Sequence, residues 1–183
     1  MYLPDAFYFT DAARGANPLH IAERLPANTG IIFRHYTAPD RASLAGLLAH
    51  ICRRRQIPLF VASDAALAVK IGATGCHLPQ ALIPRASSIR RTFPQLDISA
   101  ACHSAQAAHK AQQFSVDMIF LSPIYPTRSH PGAKTLTPMQ AARIATTARL
   151  PVFALGGITY SRLNQIKSQG FSGFGAIDLL EAH

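Results

Sequence analysis

The sequence predicts a compact (β/α)8 barrel of the TIM type, formed by one domain over residues 1–183. Short apolar runs alternate with helical patterns from one end of the chain to the other, which indicates βαβ units around a parallel sheet. The apolar runs are continuous, as expected of strands that are buried on both faces. Eight runs match the eight strands of such a barrel, although 183 residues are few for it. A doubly wound sheet is the alternative, and it would leave at least two of the runs as loops.

The predicted strands share a short apolar core and end in polar residues or glycine. In order they are AFYFTD (6–11), GIIFRHYT (30–37), PLFVAS (58–63), GCHLP (75–79), DISAACHS (97–104), MIFLSPIYPT (118–127), PVFALGGI (151–158) and FSGFGAIDLL (171–180).

Helical patterns follow the first seven of these strands, and several carry end signals. Asp40, Asp64 and the pair Thr137-Pro138 are expected at helix N-termini, where a side-chain oxygen caps the first amides. Gly72 and Gly170 are expected to end helices in the left-handed conformation. The chain stops soon after the eighth strand, so the last helix is predicted to be truncated or missing.

Composition excludes several classes of protein. Hydrophobic residues make up 49% of the chain, too many for a disordered protein, and no apolar run is long enough to cross a bilayer. The first residues, MYLPD, do not resemble a signal peptide. The three cysteines lack the C-x-x-C spacing of a zinc or redox site and are expected to be buried thiols. We therefore expect a cytoplasmic protein with no membrane partner.

The chain carries an excess of positive charge, with 18 basic residues against 9 acidic ones. This balance suits an anionic small molecule, or a solvated basic surface. The run Arg53-Arg54-Arg55 ends a predicted helix, where cations stabilise the helix dipole. No nucleic-acid motif accompanies these cations, so we expect no nucleic-acid partner. The sequence leaves a monomer and a homo-oligomer both open.

Polar residues and glycines concentrate at the carboxyl ends of the predicted strands, the face on which TIM barrels carry their active sites. Gly156 and Gly157 end the seventh strand, and the glycine-rich run 173–177 forms the eighth. In TIM barrels the loops after these two strands often bind phosphate, and glycine lets backbone amides approach the anion closely. A tight turn without a ligand is the alternative.

The longest predicted loop, SPIYPTRSHPGAK (122–134), follows the sixth strand. Its three prolines restrict its path, and it offers donors to an anion from Thr127, Ser129, His130 and Lys134. Loops of this length in a compact domain are often functional.

A set of short motifs in this order resembles the thiamine-phosphate synthase/TenI superfamily over nearly the whole chain. The motifs are YFTD, GCHLPQ, ISAACHS, SPIYPTRSHPG, ALGGI and GFGAI. The resemblance implies a (β/α)8 barrel that handles a small phosphorylated thiazole. It assigns phosphate binding to Gly156, Gly157, Ala176 and Ile177, and substrate binding to Arg34, Thr127, Ser129 and His130.

Several positions depart from the pattern of the synthase, which joins a pyrimidine diphosphate to the thiazole phosphate with Mg²⁺. Its Gln-x-Arg-x-Lys on strand two corresponds to Ile32, Arg34 and Tyr36, so only the arginine remains. Its Asn-Asp after strand three aligns with Ala62-Ser63, and its second metal-binding aspartate aligns with Leu82. Mg²⁺ prefers carboxylate oxygens, so we expect no metal cofactor; Mg²⁺ would be required only if the protein is a synthase.

Three further departures affect the strand ends that the resemblance assigns to the substrate. Ala101 replaces a serine on strand five, and His130 replaces a lysine of the strand-six loop. Asp178 replaces a small hydroxyl residue beside the phosphate, which a carboxylate would repel. Either Asp178 points away from the phosphate, or the site prefers a different ligand.

His103 aligns with the histidine that the TenI-type thiazole tautomerase is thought to use for proton transfer. A histidine can remove a proton from carbon and return it elsewhere without a metal. The alternative is a structural histidine, which we also expect for His77. The predicted function is a thiazole tautomerase with His103 as catalytic residue. The alternatives are a thiamine-phosphate synthase and a non-catalytic phosphate-ligand binder.

Overall fold

A computed structural model describes residues 3–14, 16–127, 132 and 134–181 of the chain. Eight parallel strands form a closed barrel in chain order, and the first strand pairs with the eighth, with Phe7 opposite Gly175. The predicted barrel is confirmed, and the doubly wound alternative is excluded because the sheet has no open edge.

The strands are shorter than the apolar runs from which they were predicted, because their polar ends form the loops. They are β1 (Ala6–Phe9), β2 (Thr29–Phe33), β3 (Leu59–Ala62), β4 (Gly75–Leu78), β5 (Asp97–Cys102), β6 (Met118–Leu121), β7 (Val152–Leu155) and β8 (Gly173–Ala176).

A helix follows each strand on the outside of the barrel. The helices are α1 (Pro18–Arg24), α2 (Arg41–Arg55), α3 (Ala65–Ile71), α4 (Ala86–Thr92), α5 (Ala105–Gln113), α6 (Pro138–Thr147), α7 (Leu163–Ser168) and α8 (Asp178–Glu181). Short 3₁₀ turns cover Ala12–Arg14, Gln80–Arg85 and Tyr160–Arg162. None of the described helices is both long and apolar enough to span a bilayer.

The helix-end signals are confirmed with one exception. An Asp64 carboxylate oxygen accepts from the Leu67 amide at 2.8 Å, and Thr137 forms a reciprocal capping box with Gln140. Gly72 ends α3 in the left-handed conformation, and Gly170 has φ +82° beyond α7. Asp40 occupies the N-cap position of α2, but its side chain makes no capping bond.

The last helix, α8, is a single turn of four residues in the part of the chain that the structure describes. It packs Leu179 and Leu180 into the core, and Glu181 accepts a hydrogen bond from the buried Tyr8 hydroxyl at 3.0 Å. One apolar pair and one hydrogen bond thus hold the last turn on β1.

Phenylalanine rings fill the inside of the barrel against glycines of neighbouring strands. A Cβ atom on Gly30 would lie 2.4 Å from the ring of Phe7, and one on Gly75 would lie 2.4 Å from the ring of Phe60. One on Gly175 would lie 2.6 Å from the ring of Phe9. The rings meet edge to face, with the centroids of Phe7 and Phe120 5.1 Å apart. Because interiors pack without voids, these glycines provide the room for aromatic residues in a narrow barrel.

The arginine triplet at the end of α2 is a structural element. Arg55 donates to the carbonyls of Ala22 and Leu25 at 2.6 and 2.8 Å, and Arg53 donates to the Ile71 carbonyl at 3.2 Å. Arg54 pairs with Glu23. The triplet therefore satisfies carbonyls at the ends of α1 and α3, in addition to favouring the dipole of its own helix.

Candidate active site

A pocket of about 990 Å³ opens at the carboxyl ends of the strands, on the face that the sequence predicted. Residues from β1, β2 and β4 to β8, or from the loops after them, line it. The set includes Phe9, Arg34, Tyr36, His77, Gln80, His103, Ser122, Thr127, Lys134, Gly156, Gly157, Arg162, Ala176, Ile177 and Asp178. We call the part formed after β1, β2 and β4 the aromatic side, and the part formed after β6 to β8 the glycine side.

His103 stands just beyond β5, between the two sides, and is exposed to the pocket. Its Nδ1 lies 2.9 Å from the Ser122 carbonyl oxygen, and its backbone amide donates to Gln80 Oε1 at 2.8 Å. A carbonyl can only accept, so Nδ1 carries the proton in the neutral ring. Nε2 is then the nitrogen that can take a proton from a ligand.

His77 lies at the floor of the pocket and is 3% exposed. Its Nδ1 lies 2.9 Å from Ser99 Oγ, and its ring meets Phe9 and Phe120 edge to face. Burial, with a smaller effect from Arg34, lowers the pKa of His77 to about 3. The ring is neutral and packed, as expected for a structural histidine.

Arg34 brings a cation to the aromatic side. Its Nε donates to the Thr10 carbonyl at 3.0 Å, and its guanidinium carbon lies 5.4 Å from the centre of the Phe9 ring. Asp11 lies 3.7 Å away, at ion-pair distance. These contacts hold the guanidinium at the pocket wall, where the prediction placed it as a substrate-binding group.

Gly156 and Gly157 have φ of +96° and +65°, which a residue with a side chain rarely adopts. A Cβ on Gly157 would lie 2.4 Å from the Pro126 carbonyl oxygen and 2.8 Å from Tyr125 Cβ. The reason for the second glycine is therefore packing against the β6 loop. A side chain at Gly157 would therefore collide with this loop whether or not an anion is bound.

The backbone of the two glycines can still serve an anion. Both residues line the pocket with Ala176 and Ile177, as predicted. Within the described residues, the amides of Gly156, Gly157 and Ile177 donate to no backbone or side-chain acceptor. Pocket-lining amides of this kind are suited to the oxygens of a phosphate.

The β6 loop contributes two of its predicted donors within the described residues, Thr127 and Lys134, which both line the pocket. Ser129 and His130 lie outside the described residues. Arg162 holds the loop against β7, because it donates to the Gly157 carbonyl at 2.6 Å and lies 4.2 Å from the centre of the Tyr125 ring.

The residues present do not fit the magnesium site that the family implies. Ser63 and Leu82 hold the two metal-ligand positions, and the neighbouring Asp64 caps α3 and pairs with Arg41 at 3.1 Å. Within the described residues no three acidic, histidine or cysteine side chains come together as ligands. Asp178 is the pocket's one carboxylate among these residues, and a single carboxylate is a poor magnesium site.

Sequence reasoning gave no site role to Gln80, Ser122 and Arg162, which all line the pocket. Gln80 and Ser122 hold His103, and Arg162 holds the β6 loop. Gln80 and Ser122 do belong to motifs that carried the resemblance. Their contacts to His103 join residues that are 23 and 19 positions apart, which local sequence patterns do not show.

The family model described as thiamine monophosphate synthase matches residues 11–180. The chain belongs to the thiamine-phosphate synthase/TenI family. It is 29% identical over 185 residues to the thiamine-phosphate synthase of Listeria innocua, with 93% of this chain and 84% of the relative covered. It is 34% identical over 168 residues to the thiamine biosynthesis bifunctional protein ThiM/ThiE of Symbiobacterium thermophilum, covering 89% of this chain and 35% of that longer protein.

The solved structure of a thiamine phosphate pyrophosphorylase from Pyrococcus furiosus shares the fold. It aligns with a TM-score of 0.82 at 21% identity, covering 97% of this chain and 90% of that one. The predicted family, its place in thiamine biosynthesis and the expectation of an enzyme are confirmed. The names of the curated relatives favour the alternative prediction of a synthase over that of a tautomerase.

Proposed function

We propose that this protein binds a small phosphorylated thiazole in the barrel pocket and moves a proton on it without a metal, with His103 as acid and base. The observation that carries the proposal is the pairing of His103 Nδ1 with the Ser122 carbonyl at 2.9 Å. This contact leaves Nε2 of a pocket-lining histidine without the proton, and removal of a proton from carbon requires such a base.

The glycine side supports the phosphate part of the proposal. The amides of Gly156, Gly157 and Ile177 would donate to the phosphate oxygens, and Lys134 would add a positive charge. Thr127 adds a hydroxyl on the same side, and Arg34 would order the other end of the ligand from the aromatic side. Ser129 and His130 remain predicted contacts of the same ligand.

A second candidate is the thiamine-phosphate synthase reaction, which the names of the relatives favour. That reaction places a pyrimidine diphosphate and Mg²⁺ beside the thiazole phosphate. The two corresponding positions here are Ser63 and Leu82, and the neighbouring Asp64 is paired with Arg41, so the family's magnesium site would have to be rebuilt from other groups. The residues of the pocket therefore favour the metal-free proton transfer.

Two assays on the same purified protein separate these candidates. The first follows isomerisation of a thiazole carboxylate phosphate in the presence of EDTA, and the second follows formation of thiamine phosphate with and without Mg²⁺. We expect turnover in the first assay, unchanged by EDTA, and none in the second. Magnesium-dependent formation of thiamine phosphate would establish the synthase instead.

A protein that binds thiazole phosphate in calorimetry but is inactive in both assays is a non-catalytic binder. That result would contradict the assignment of His103 while leaving the phosphate site in place. Absence of binding would overturn the phosphate site itself.

A further inference from the structure

Ser122 is the first residue after β6 and is 7% exposed, at the wall of the pocket. It presents two oxygen atoms to the same nitrogen of His103: the carbonyl oxygen lies 2.9 Å from Nδ1, and Oγ lies 3.2 Å from it. Which hydrogen bonds Ser122 makes depends on two hydrogen atoms: the proton on His103 Nδ1 and the hydrogen of the Ser122 hydroxyl.

If the hydroxyl donated to Nδ1, this nitrogen would carry a lone pair. The lone pair would then face the Ser122 carbonyl oxygen at 2.9 Å, and two acceptors would oppose each other. If Nδ1 carries the proton, both oxygens accept it in a shared hydrogen bond, and no group is in conflict. The second arrangement is the favoured one, because two acceptors that face each other without a proton between them repel.

The shared bond leaves the Ser122 hydroxyl hydrogen for another acceptor. Within the described residues His103 Nδ1 is the single side-chain partner of this hydroxyl. Since Ser122 lines the pocket, a bound ligand can supply that acceptor. A hydroxyl that accepts from one group donates more strongly to the next, so the pair acts as one unit.

We propose that Ser122 contacts the ligand and positions His103: it holds the ring as the Nδ1–H tautomer and donates its hydroxyl to the ligand beside the reacting carbon. The inference rests on the proposed function for the identity of the ligand. The acceptor would be an electronegative atom of the thiazole, such as a ring nitrogen or a carboxylate oxygen.

The proton transfer balances without another reactant. Nε2 takes the proton from carbon, and the electron pair of the broken C–H bond moves into the ring system of the ligand. His103 becomes an imidazolium, and the Ser122 hydroxyl stabilises the negative charge on the neighbouring acceptor. Nε2 then returns the proton to a different carbon, which restores the neutral ring.

The first test is the tautomer of His103, read from the nitrogen chemical shifts of the imidazole at mildly alkaline pH without a ligand. We expect a protonated Nδ1 and a bare Nε2 in the wild-type protein. A dominant Nε2–H form would overturn the proposal. This readout does not depend on activity, so it decides the positioning role even if the proposed function fails.

The second test is Ser122→Ala, which keeps the carbonyl and removes the hydroxyl. We expect the same tautomer, an affinity for thiazole phosphate or thiazole carboxylate phosphate that falls about three- to tenfold, and a larger fall in turnover. Wild-type affinity for both compounds together with wild-type turnover would overturn the ligand contact. If the wild-type protein binds neither compound, the proposed function and the ligand contact fail together, while the tautomer stands on its own measurement.

Ser104→Ala is the matched control. Ser104 adjoins His103 in sequence, and its hydroxyl caps α5 by accepting from the Ala107 amide at 3.1 Å. This variant should lose stability through the cap while keeping the tautomer, the affinity and the turnover. An equal loss of turnover in both serine variants would show that Ser122 acts through local stability, and would contradict the proposal.

Discussion

The two sides of the pocket are built in different ways. On the glycine side the ligand would meet backbone amides, and the chain path depends on Gly156 and Gly157 lying against the β6 loop. On the aromatic side it would meet side chains, with Arg34 held by the Thr10 carbonyl and His77 packed on Phe9 and Phe120. The motifs ALGGI and GFGAI lie on the first side. Departures from the synthase pattern occur on both sides, at Tyr36 and Leu82 after β2 and β4 and at Asp178 after β8.

The difference in construction indicates that the two sides tolerate substitution differently. A backbone site depends on glycines at positive φ and on a packed loop, so a single added carbon damages it. A side-chain site can be altered one residue at a time, provided that each buried polar group keeps a partner. His103 stands between the two sides, so its removal tests whether they serve one reaction.

The largest effect is expected for His103→Gln, which keeps hydrogen bonding but cannot transfer a proton. Turnover of the thiazole carboxylate phosphate should fall by about 10²–10⁴, while affinity changes little. Steady-state kinetics and calorimetry on one preparation measure both quantities.

His109→Ala is the control for this variant, because His109 lies on the outer face of α5 and contacts Gln113. It should keep wild-type turnover. Full turnover in His103→Gln would remove the acid-base assignment and favour a non-catalytic binder.

The backbone nature of the glycine side is tested by Gly157→Val. Because φ is +65° and a Cβ would lie 2.4 Å from the Pro126 carbonyl, the variant should lose about 2–5 kcal/mol in free energy of unfolding. Urea denaturation measures this loss.

Gly46→Ala is the opposite case within the same protein. Gly46 lies in α2, and a Cβ there would meet nothing within 4 Å, so the substitution should stabilise the protein by about 1 kcal/mol. If Gly157→Val is as stable as the wild type, the packing explanation for the second glycine is wrong.

The aromatic side predicts a pH dependence of stability through His77. Its pKa is lowered from 6.5 to about 3 in the folded protein, so the unfolded chain binds one more proton between these values. Stability should therefore fall as pH falls below about 6.5, by up to about 1.4 kcal/mol per pH unit from this group.

His77→Gln removes the titrating group, so its unfolding free energy should depend less steeply on pH than that of the wild type between pH 6 and 4 (about the range where the unfolded histidine is charged). The comparison uses slopes and is unaffected by a constant loss of packing. If the unfolding free energies of the two proteins depend on pH in parallel, the buried, neutral His77 is not the cause of the loss of stability in acid.

The smallest effects concern the charges around the glycine side. Lys134→Ala should weaken binding of thiazole phosphate about five- to tenfold, and Asp178→Asn should strengthen it several-fold at low salt. Calorimetry at two salt concentrations measures both. Lys110→Ala, on α5 beside Phe114, is the control. Tighter binding of thiazole phosphate by the wild type than by Asp178→Asn would mean that the carboxylate serves the ligand and does not oppose it.

The sequence by itself determined the barrel, since continuous apolar runs of strand length alternate with capped helices. It also determined which chain segments form the pocket, because parallel strands bring all their carboxyl ends to one face. The tertiary structure decided which groups within those segments act together. Residues such as Gln80, His103 and Ser122 lie on three different strand ends, and their hydrogen bonds join positions that no local pattern relates.

Packing also decided the meaning of two features that the sequence left ambiguous. The glycines after β7 could have left space for an anion or for a neighbouring segment of the chain. At Gly157 the β6 loop occupies the space that a side chain would need. The arginines of α2 could have served a ligand or the helices, and carbonyls at the ends of α1 and α3 take two of the three. In both cases the partner comes from a distant part of the chain, and only the closed barrel brings it within hydrogen-bonding or van der Waals distance.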